Sequence, residues 1–260
     1  MTVVAVLADP PRPGLAVPDL AAATPLSPDG AADLYAATLK DTFRAVERSG
    51  GDLLVNYRPD DLLPDEYVTE TTSEAALRAL AGEALDDVTD ARFEPQVGST
   101  PSARAGNTAT HLLREEGVRS VAVTRGTAPL LTRPTVDSAA MKLRANETVL
   151  GPTTGGRTYY AGFTAPVDFA DALGDAELET LVDRATDAGN GVEFLPLQAT
   201  VETASDLRHL LPLLWSRIEA ERVVPEHTAT VVHDLGVRVR DGAVVADGSA
   251  GDGAGPAADR

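Results

Sequence analysis

The residues whose types and spacing most suggest chemistry lie in Gly151–Thr158, GPTTGGRT. Gly151, Gly155 and Gly156 would let backbone N–H groups approach an anion with no Cβ in the way. Arg157 stands where a phosphate-binding loop carries its lysine. Such a loop also needs a helix directly behind it, whose N-terminus faces the phosphate. Here Tyr159–Phe163, YYAGF, follows and reads as a strand, and a guanidinium does not replace the lysine point charge. A nucleotide triphosphatase is therefore disfavoured, while an anion-binding loop and a tight strand connection both stay open. The four histidines, His111, His209, His227 and His233, are scattered, with no metal-ligand spacing and no G-x-S-x-G elbow. Each reads as a surface or helix-end residue. Tyr159-Tyr160 suit core packing and stacking on a base or sugar equally well. The pairs Asp60-Asp61 and Asp86-Asp87 read as solvated surface. The chain has no cysteine, hence no disulfide, thiolate zinc site or cysteine nucleophile.

Such a loop needs a scaffold, and the chain alternates strand and helix patterns. Val3–Ala8 is a short apolar run closed by a Pro-rich loop at Asp9–Gly14, and reads as a buried strand. Ser27 is placed to cap a helix with Pro28 in its first turn, and Ala31, Leu34, Tyr35, Thr38, Leu39 and Val46 recur at helical spacing. Gly50-Gly51 stops that helix, and Asp52–Tyr57 is the next strand, which makes a parallel βαβ unit. Helices follow at Ser73–Leu85, Ala103–Glu116, Thr135–Arg144, Ala176–Ala188 and Ala204–Glu219, with strands at Val118–Thr124, Glu147–Leu150, Tyr159–Phe163 and Val192–Leu195. The predicted fold is a three-layer α/β/α sandwich with a mostly parallel sheet over residues 1–225. Ligands in such sheets bind at the carboxyl ends of the strands, which singles out the loops after Ala8, Thr124 and Leu150. Thr228–Val232 and Val237–Val245 alternate apolar and polar residues around the turn Asp241-Gly242. Residues 226–246 are thus predicted to form a β-hairpin appendage, and the Gly/Ala/Asp-rich 247–260 a disordered tail.

Charge narrows the partners. The 260 residues hold 40 acids against 22 bases, a net charge of −18. Lys40 and Lys142 are the only lysines, and aromatics make up 4%. This composition suits a protein dispersed in concentrated salt by a dense carboxylate surface. The sequence holds no basic patch for nucleic acid and no apolar run of about 18–20 residues to cross a membrane. Its start has neither a basic segment nor a small-residue cleavage site, so a cytoplasmic protein is expected.

Several segments, in order, resemble the nucleotide-diphospho-sugar transferase-like family of glycosyltransferase-A type fold, in the branch associated with radical-SAM and selenium-domain proteins. The family opens with a-P-x-P-G-x-x-K-T-R-L and an A-x-x-L-Y-x-x-x-L-x-D-T helix. This chain has Pro11-Arg12-Pro13-Gly14 before Leu20, then Ala32–Thr42, ADLYAATLKDT. The motif G-t-D-s-P-d-L-t falls on Arg125–Thr132, G-P-a-x-D-G-G-Y-Y-L-x-G-l on Gly151–Phe163, and D-V-D-T-x-x-D-L on Thr200–Leu207. The agreement spans about Val3–Leu214. Val17, Pro18 and Asp19 occupy the K-T-R positions, and Thr127, Gly155 and Thr200 replace motif acids, leaving Glu202 and Asp206.

The resemblance implies a nucleotide-activated sugar, or another small anionic ligand, bound by Arg12, Pro13, Gly14, Arg125, Gly126, Thr127, Gly151, Pro152, Gly155, Gly156, Arg157 and Tyr159. Arg12, Arg125 and Arg157 would be the diphosphate clamps, since guanidinium grips phosphate oxygens bidentately. No cofactor is expected: a metal–diphosphate site needs hard carboxylate oxygens, and Glu202 and Asp206 alone remain for Mg²⁺ or Mn²⁺. Two functions stay open, a glycosyl- or nucleotidyltransferase-like enzyme with an eroded metal site and a non-catalytic binding or scaffold relative. If the −18 charge is an adaptation to salt, screening relieves self-repulsion and the melting temperature rises from low to molar KCl; a flat or falling curve refutes that reading.

Overall fold

The structure, a computed structural model, describes residues 2–174 and 176–246; the predicted tail lies outside the described residues. A seven-stranded sheet runs β3-β2-β1-β4-β6-β5-β7. Its strands are β1 (Thr2–Ala8), β2 (Gly51–Tyr57), β3 (Arg92–Pro95), β4 (Ser120–Arg125), β5 (Thr148–Pro152), β6 (Thr158–Phe163) and β7 (Val192–Phe194). All neighbours are parallel except β6, which is antiparallel to both β4 and β5. Reversing one strand brings the β5–β6 turn to the same sheet edge as the carboxyl end of β4.

Side-chain alternation along the strands divides the core. Val4, Val6, Leu53, Val55 and Ala122 face α2 (Pro28–Glu47), α3 (Ser73–Gly82) and α5 (Arg133–Lys142). Val3, Ala5, Leu54, Val121 and Val123 face α4 (Pro101–Arg114) and α6 (Glu177–Asp187). This is the predicted α/β/α sandwich. Ser27 caps α2 by accepting from the Gly30 N–H at 3.0 Å, with Pro28 in the first turn. Sequence reasoning missed α1 (Pro18–Ala23) and β3. The first has only six residues, and the second, RFEP, is a short edge strand with no apolar alternation.

The C-terminal region requires a correction. Thr228–Val232 is not a strand but the middle of α8 (Glu226–Asp234). The alternation of Thr228, Ala229, Thr230 and Val231 favours a strand locally, but a tertiary contact decides otherwise. The buried Asp41 carboxylate of α2 accepts from the N–H of His227 (3.1 Å), the N–H of Thr228 (2.8 Å) and the Thr228 hydroxyl (2.7 Å). It serves as an N-terminal cap supplied from another helix. Thr228, Ala229 and Val232 then share one buried helix face. The hairpin forms as predicted, from β8 (Val237–Arg240) and β9 (Ala243–Ala246) around Asp241-Gly242, both at positive φ. Residues 226–246 share a core cluster with Leu20, Leu34 and the α7 (Ala204–Glu219) residues Leu207, Leu210, Leu211 and Leu214. Replacing Asp41 with Ala removes three accepted hydrogen bonds and is expected to cost about 2 kcal/mol. Chemical denaturation measures the loss, and cleavage by a protease within 226–246 should precede global unfolding.

Candidate functional site

A cavity of about 530 Å³ opens at the carboxyl edge of the sheet. Its walls come from the ends of β1 (Leu7, Asp9) and β4 (Arg125–Thr127), from Gly155 and Arg157 of the β5–β6 turn, and from Glu202 before α7. Tyr35 of α2, Gln96 after β3 and Arg104 of the first turn of α4 complete the polar lining, with Pro101 beside them.

One carboxylate organises the rim. Glu202 Oε1 accepts from the Thr127 hydroxyl at 2.7 Å, and Oε2 lies 3.0 Å from Arg125 Nη1 and 2.9 Å from Arg157 Nε. Arg125 Nη2 also pairs with Glu177, the first residue of α6, which accepts from the N–H of Thr158 at 3.0 Å and from its hydroxyl. Arg157 Nη2 donates to Asp206 Oδ2 at 2.6 Å, and the same oxygen accepts from the N–H groups of Glu202 (3.1 Å) and Thr203 (2.9 Å). Asp206 is simultaneously half of the α7 capping box with Thr203. Glu177 and Asp206 are each 1% exposed. Burial disfavours the charged form of Arg125, but Glu202 and Glu177 overcome it and its pKa is raised. Two guanidinium groups thus face three carboxylates, and the cluster carries one net negative charge.

The same edge holds a second group of charges. Burial pushes the Asp9 carboxyl up against the opposing pull of Arg58 and Arg104. Arg58 Nη1 lies 4.0 Å from Asp9, while its Nε and Nη2 donate to the Leu62 carbonyl. Tyr35 accepts from the Asp9 N–H at 3.0 Å, and burial, reinforced by the Asp9 charge, raises its pKa far above the ordinary phenol.

The predicted site residues divide. Arg125, Gly126, Thr127, Gly155 and Arg157 line one cavity. Arg12, Pro13 and Gly14 do not. Arg12 donates to the carbonyls of Tyr67 and Thr71 and pairs with Asp60, so its donors tie the first loop to residues 60–71. Gly14, at φ +81°, accepts from the Tyr67 hydroxyl at 3.1 Å. Tyr159 covers no ligand face: it is 1% exposed and donates to the Pro196 carbonyl at 3.0 Å. Gly151 serves that packing, since a Cβ there would lie 2.6 Å from the Tyr159 ring, and Pro152 pairs with Thr158 in the sheet. The glycine segment is a strand connection. The Thr153 hydroxyl accepts from the N–H groups of Gly155 (3.3 Å) and Arg157 (3.1 Å), and the Thr153 carbonyl accepts from that of Gly156 (3.3 Å). These N–H groups are therefore committed within the turn.

Sequence reasoning missed Asp9, Gln96, Arg104 and Glu177, and took Tyr35 only as a helix residue. Without β3, the loop after it was not recognised as part of the rim, so Gln96 and Arg104 carried no signal. Glu177 looked like an ordinary acid of a helix first turn.

A divalent cation does not fit the remaining acids. To bind Glu202 Oε2 and Asp206 Oδ2 it would have to displace two guanidinium groups from those oxygens. Among the described residues, no group of three or more His, Asp or Glu could hold a metal ion.

A solved structure of a candidate nucleotide-diphospho-sugar transferase from Desulfovibrio desulfuricans superimposes with a TM-score of 0.71. It covers 90% of this chain and 94% of that chain at 21% identity. The chain has the nucleotide-diphospho-sugar transferase fold. More distant matches include a cytidylyltransferase from Leptospira borgpetersenii (TM-score 0.48, 11% identity, 90% of this chain and 94% of that chain). A CMP:2-keto-3-deoxy-manno-octonic acid synthetase complexed with CTP also matches (TM-score 0.48, 10% identity, 83% of this chain and 99% of that chain). No family model and no curated protein matches.

In this nucleotide-diphospho-sugar transferase fold, Arg125 is a structural cation. Replacing it with Ala strands the buried Glu177 and is expected to cost about 3 kcal/mol or more. Adding Glu177→Gln should recover part of that loss in a denaturation experiment.

Proposed function

We propose that the protein binds a nucleotide-activated sugar in this cavity and acts as a glycosyl- or nucleotidyltransferase-like protein with no resident divalent cation. The supporting observation is the cavity at the carboxyl ends of β1 and β4, lined by Asp9, Tyr35 and Arg104 on one side and by the Glu202 cluster on the other. Strand ends of this kind are where open α/β sheets bind ligands. The Desulfovibrio desulfuricans protein of the same fold carries the name of a nucleotide-diphospho-sugar transferase, which agrees with a nucleotide-bearing ligand.

A non-catalytic binding relative is the second reading, and the commitment of Glu202 and Asp206 to arginines favours it. Asp9 separates the two. It is the cavity carboxyl whose pKa burial raises, and such a group can exchange a proton during turnover. In an enzyme, Asp9→Asn abolishes transfer and spares binding; in a binding module no transfer is seen in either form.

Thermal shift against a nucleotide-sugar panel tests the ligand and the metal together. A ligand at 100 times its Kd stabilises by about 2.7 kcal/mol, a rise of roughly 5–10 °C for a chain of this size. The rise is expected to be equal in EDTA and in Mn²⁺. No rise with any nucleotide-sugar refutes the ligand class, and a rise only in Mn²⁺ refutes the metal-free site.

A further inference from the structure

Of the three arginines that line the cavity, two are already neutralised. A phosphate arriving at Arg125 or Arg157 meets a cluster that is net negative, and capturing either guanidinium would strand Glu177 or Asp206 in the interior. Arg104 differs from both. Among the described residues no hydrogen bond or ion pair reaches its guanidinium; its Nε, like that of Arg157, is buried with no hydrogen-bond acceptor, but Arg157 has carboxylate contacts and Arg104 has none. Burial and the nearby Arg58 push its pKa down, and Asp9 only partly offsets them. Arg58 and Arg104 together outnumber Asp9 by one positive charge. A partly buried, unpaired cation is costly to keep, and that cost is recovered when an anion binds.

A neutral donor stands on the same cavity. The Tyr35 oxygen already accepts the Asp9 N–H, so its own O–H is left to donate, and burial keeps the phenol protonated. Arg104 lies in the first turn of the 14-residue α4, whose positive end adds to the local field.

We infer that the phosphate group of the ligand is held by Arg104, with the Tyr35 hydroxyl as a second donor, while Arg125 and Arg157 form the wall of the site rather than its clamp. This rests on the nucleotide-sugar reading and gives it an orientation. The phosphate lies towards β1 and the start of α4, where a guanidinium fork matches two of its oxygens. The uncharged, hydroxyl-bearing part lies towards Thr127 and Glu202, where a carboxylate accepts from hydroxyl groups and repels phosphate.

The test is calorimetric titration of the full-length protein with inorganic pyrophosphate and with UDP-glucose, in EDTA at fixed KCl, for the wild type, Arg104→Gln and Arg104→Lys. Arg104→Gln is expected to weaken pyrophosphate binding about tenfold or more, the loss of one charge-assisted contact. Its melting temperature should be unchanged or raised, because no internal partner is stranded. Arg104→Lys should restore part of the affinity. Wild-type affinity in Arg104→Gln overturns the inference and leaves the nucleotide-sugar reading standing. A melting temperature that falls as far as in Arg157→Gln also overturns it, by making Arg104 a structural cation. If the wild type binds neither probe, the ligand reading fails and the inference with it.

Discussion

The Glu202 carboxylate accepts the Thr127 hydroxyl and pairs with Arg125 and Arg157, and through these groups it joins the end of β4, the β5–β6 turn and the start of α7. Glu177 extends the tie to α6 and Asp206 to the α7 cap. Removing Arg125 or Arg157 leaves a buried carboxylate short of its cation, and in such clusters the penalty for an unpaired partner exceeds the net worth of the pair. The cluster therefore fixes loop geometry more than it adds stability. Four chain segments far apart in sequence are held in one register, and the cavity takes its shape from that register.

Backbone packing sharpens the same constraint. A Cβ at Gly126 would lie 2.0 Å from the Leu39 side chain, and the Gly126 carbonyl accepts from the Thr38 hydroxyl at 2.6 Å. The loop carrying Arg125 and Thr127 thus lies directly on α2. Between β5 and β6, Gly151 pairs with Tyr160 and Pro152 with Thr158, so Tyr159 is an extra residue in the β6 ladder. This bulge lets Tyr159 and Tyr160 enter one core cluster despite being consecutive in a strand. Val17, at φ +42°, also lines the cavity. A β-branched residue rarely adopts that conformation, which costs of order 1–3 kcal/mol and is held by its surroundings.

Much of this fold was legible in the sequence because the determinants are local. Ser27-Pro28 capped the helix they were expected to cap, Gly117 at positive φ ended α4, and Asp241-Gly242 made the hairpin turn. The failures share a physical cause: the deciding partner was remote. Helix α8 takes its cap from Asp41, nearly 190 residues away. The glycine segment looked like an anion cradle because glycine permits one, and only the Thr153 hydroxyl, satisfying two of its N–H groups, shows that it is a turn. That Arg125 and Arg157 lie in loops at one carboxyl edge was readable from the strand–helix alternation, but their neutralisation was not. Glu177 sits beside them only because β6 runs antiparallel and delivers Thr158 to the start of α6.

An arginine set among carboxylates is not a small equivalent of a metal ion. A divalent cation exchanges ligands, so it can accept a phosphate oxygen while keeping its protein oxygens. A guanidinium has five donors in a fixed plane, and in Arg125 and Arg157 two nitrogens each are held against Glu177, Glu202 or Asp206. Turning that plane towards a new anion pulls those contacts apart. The cavity consequently divides the work that a metal and a basic loop would share. One side holds charge that is spent on architecture and presents a carboxylate and a hydroxyl to whatever lies against it. The other, around Asp9, Tyr35 and Arg104, keeps a cation and a phenol uncommitted and a carboxyl whose pKa burial has raised. On the Glu202 side, by contrast, each guanidinium and carboxylate already has its partner.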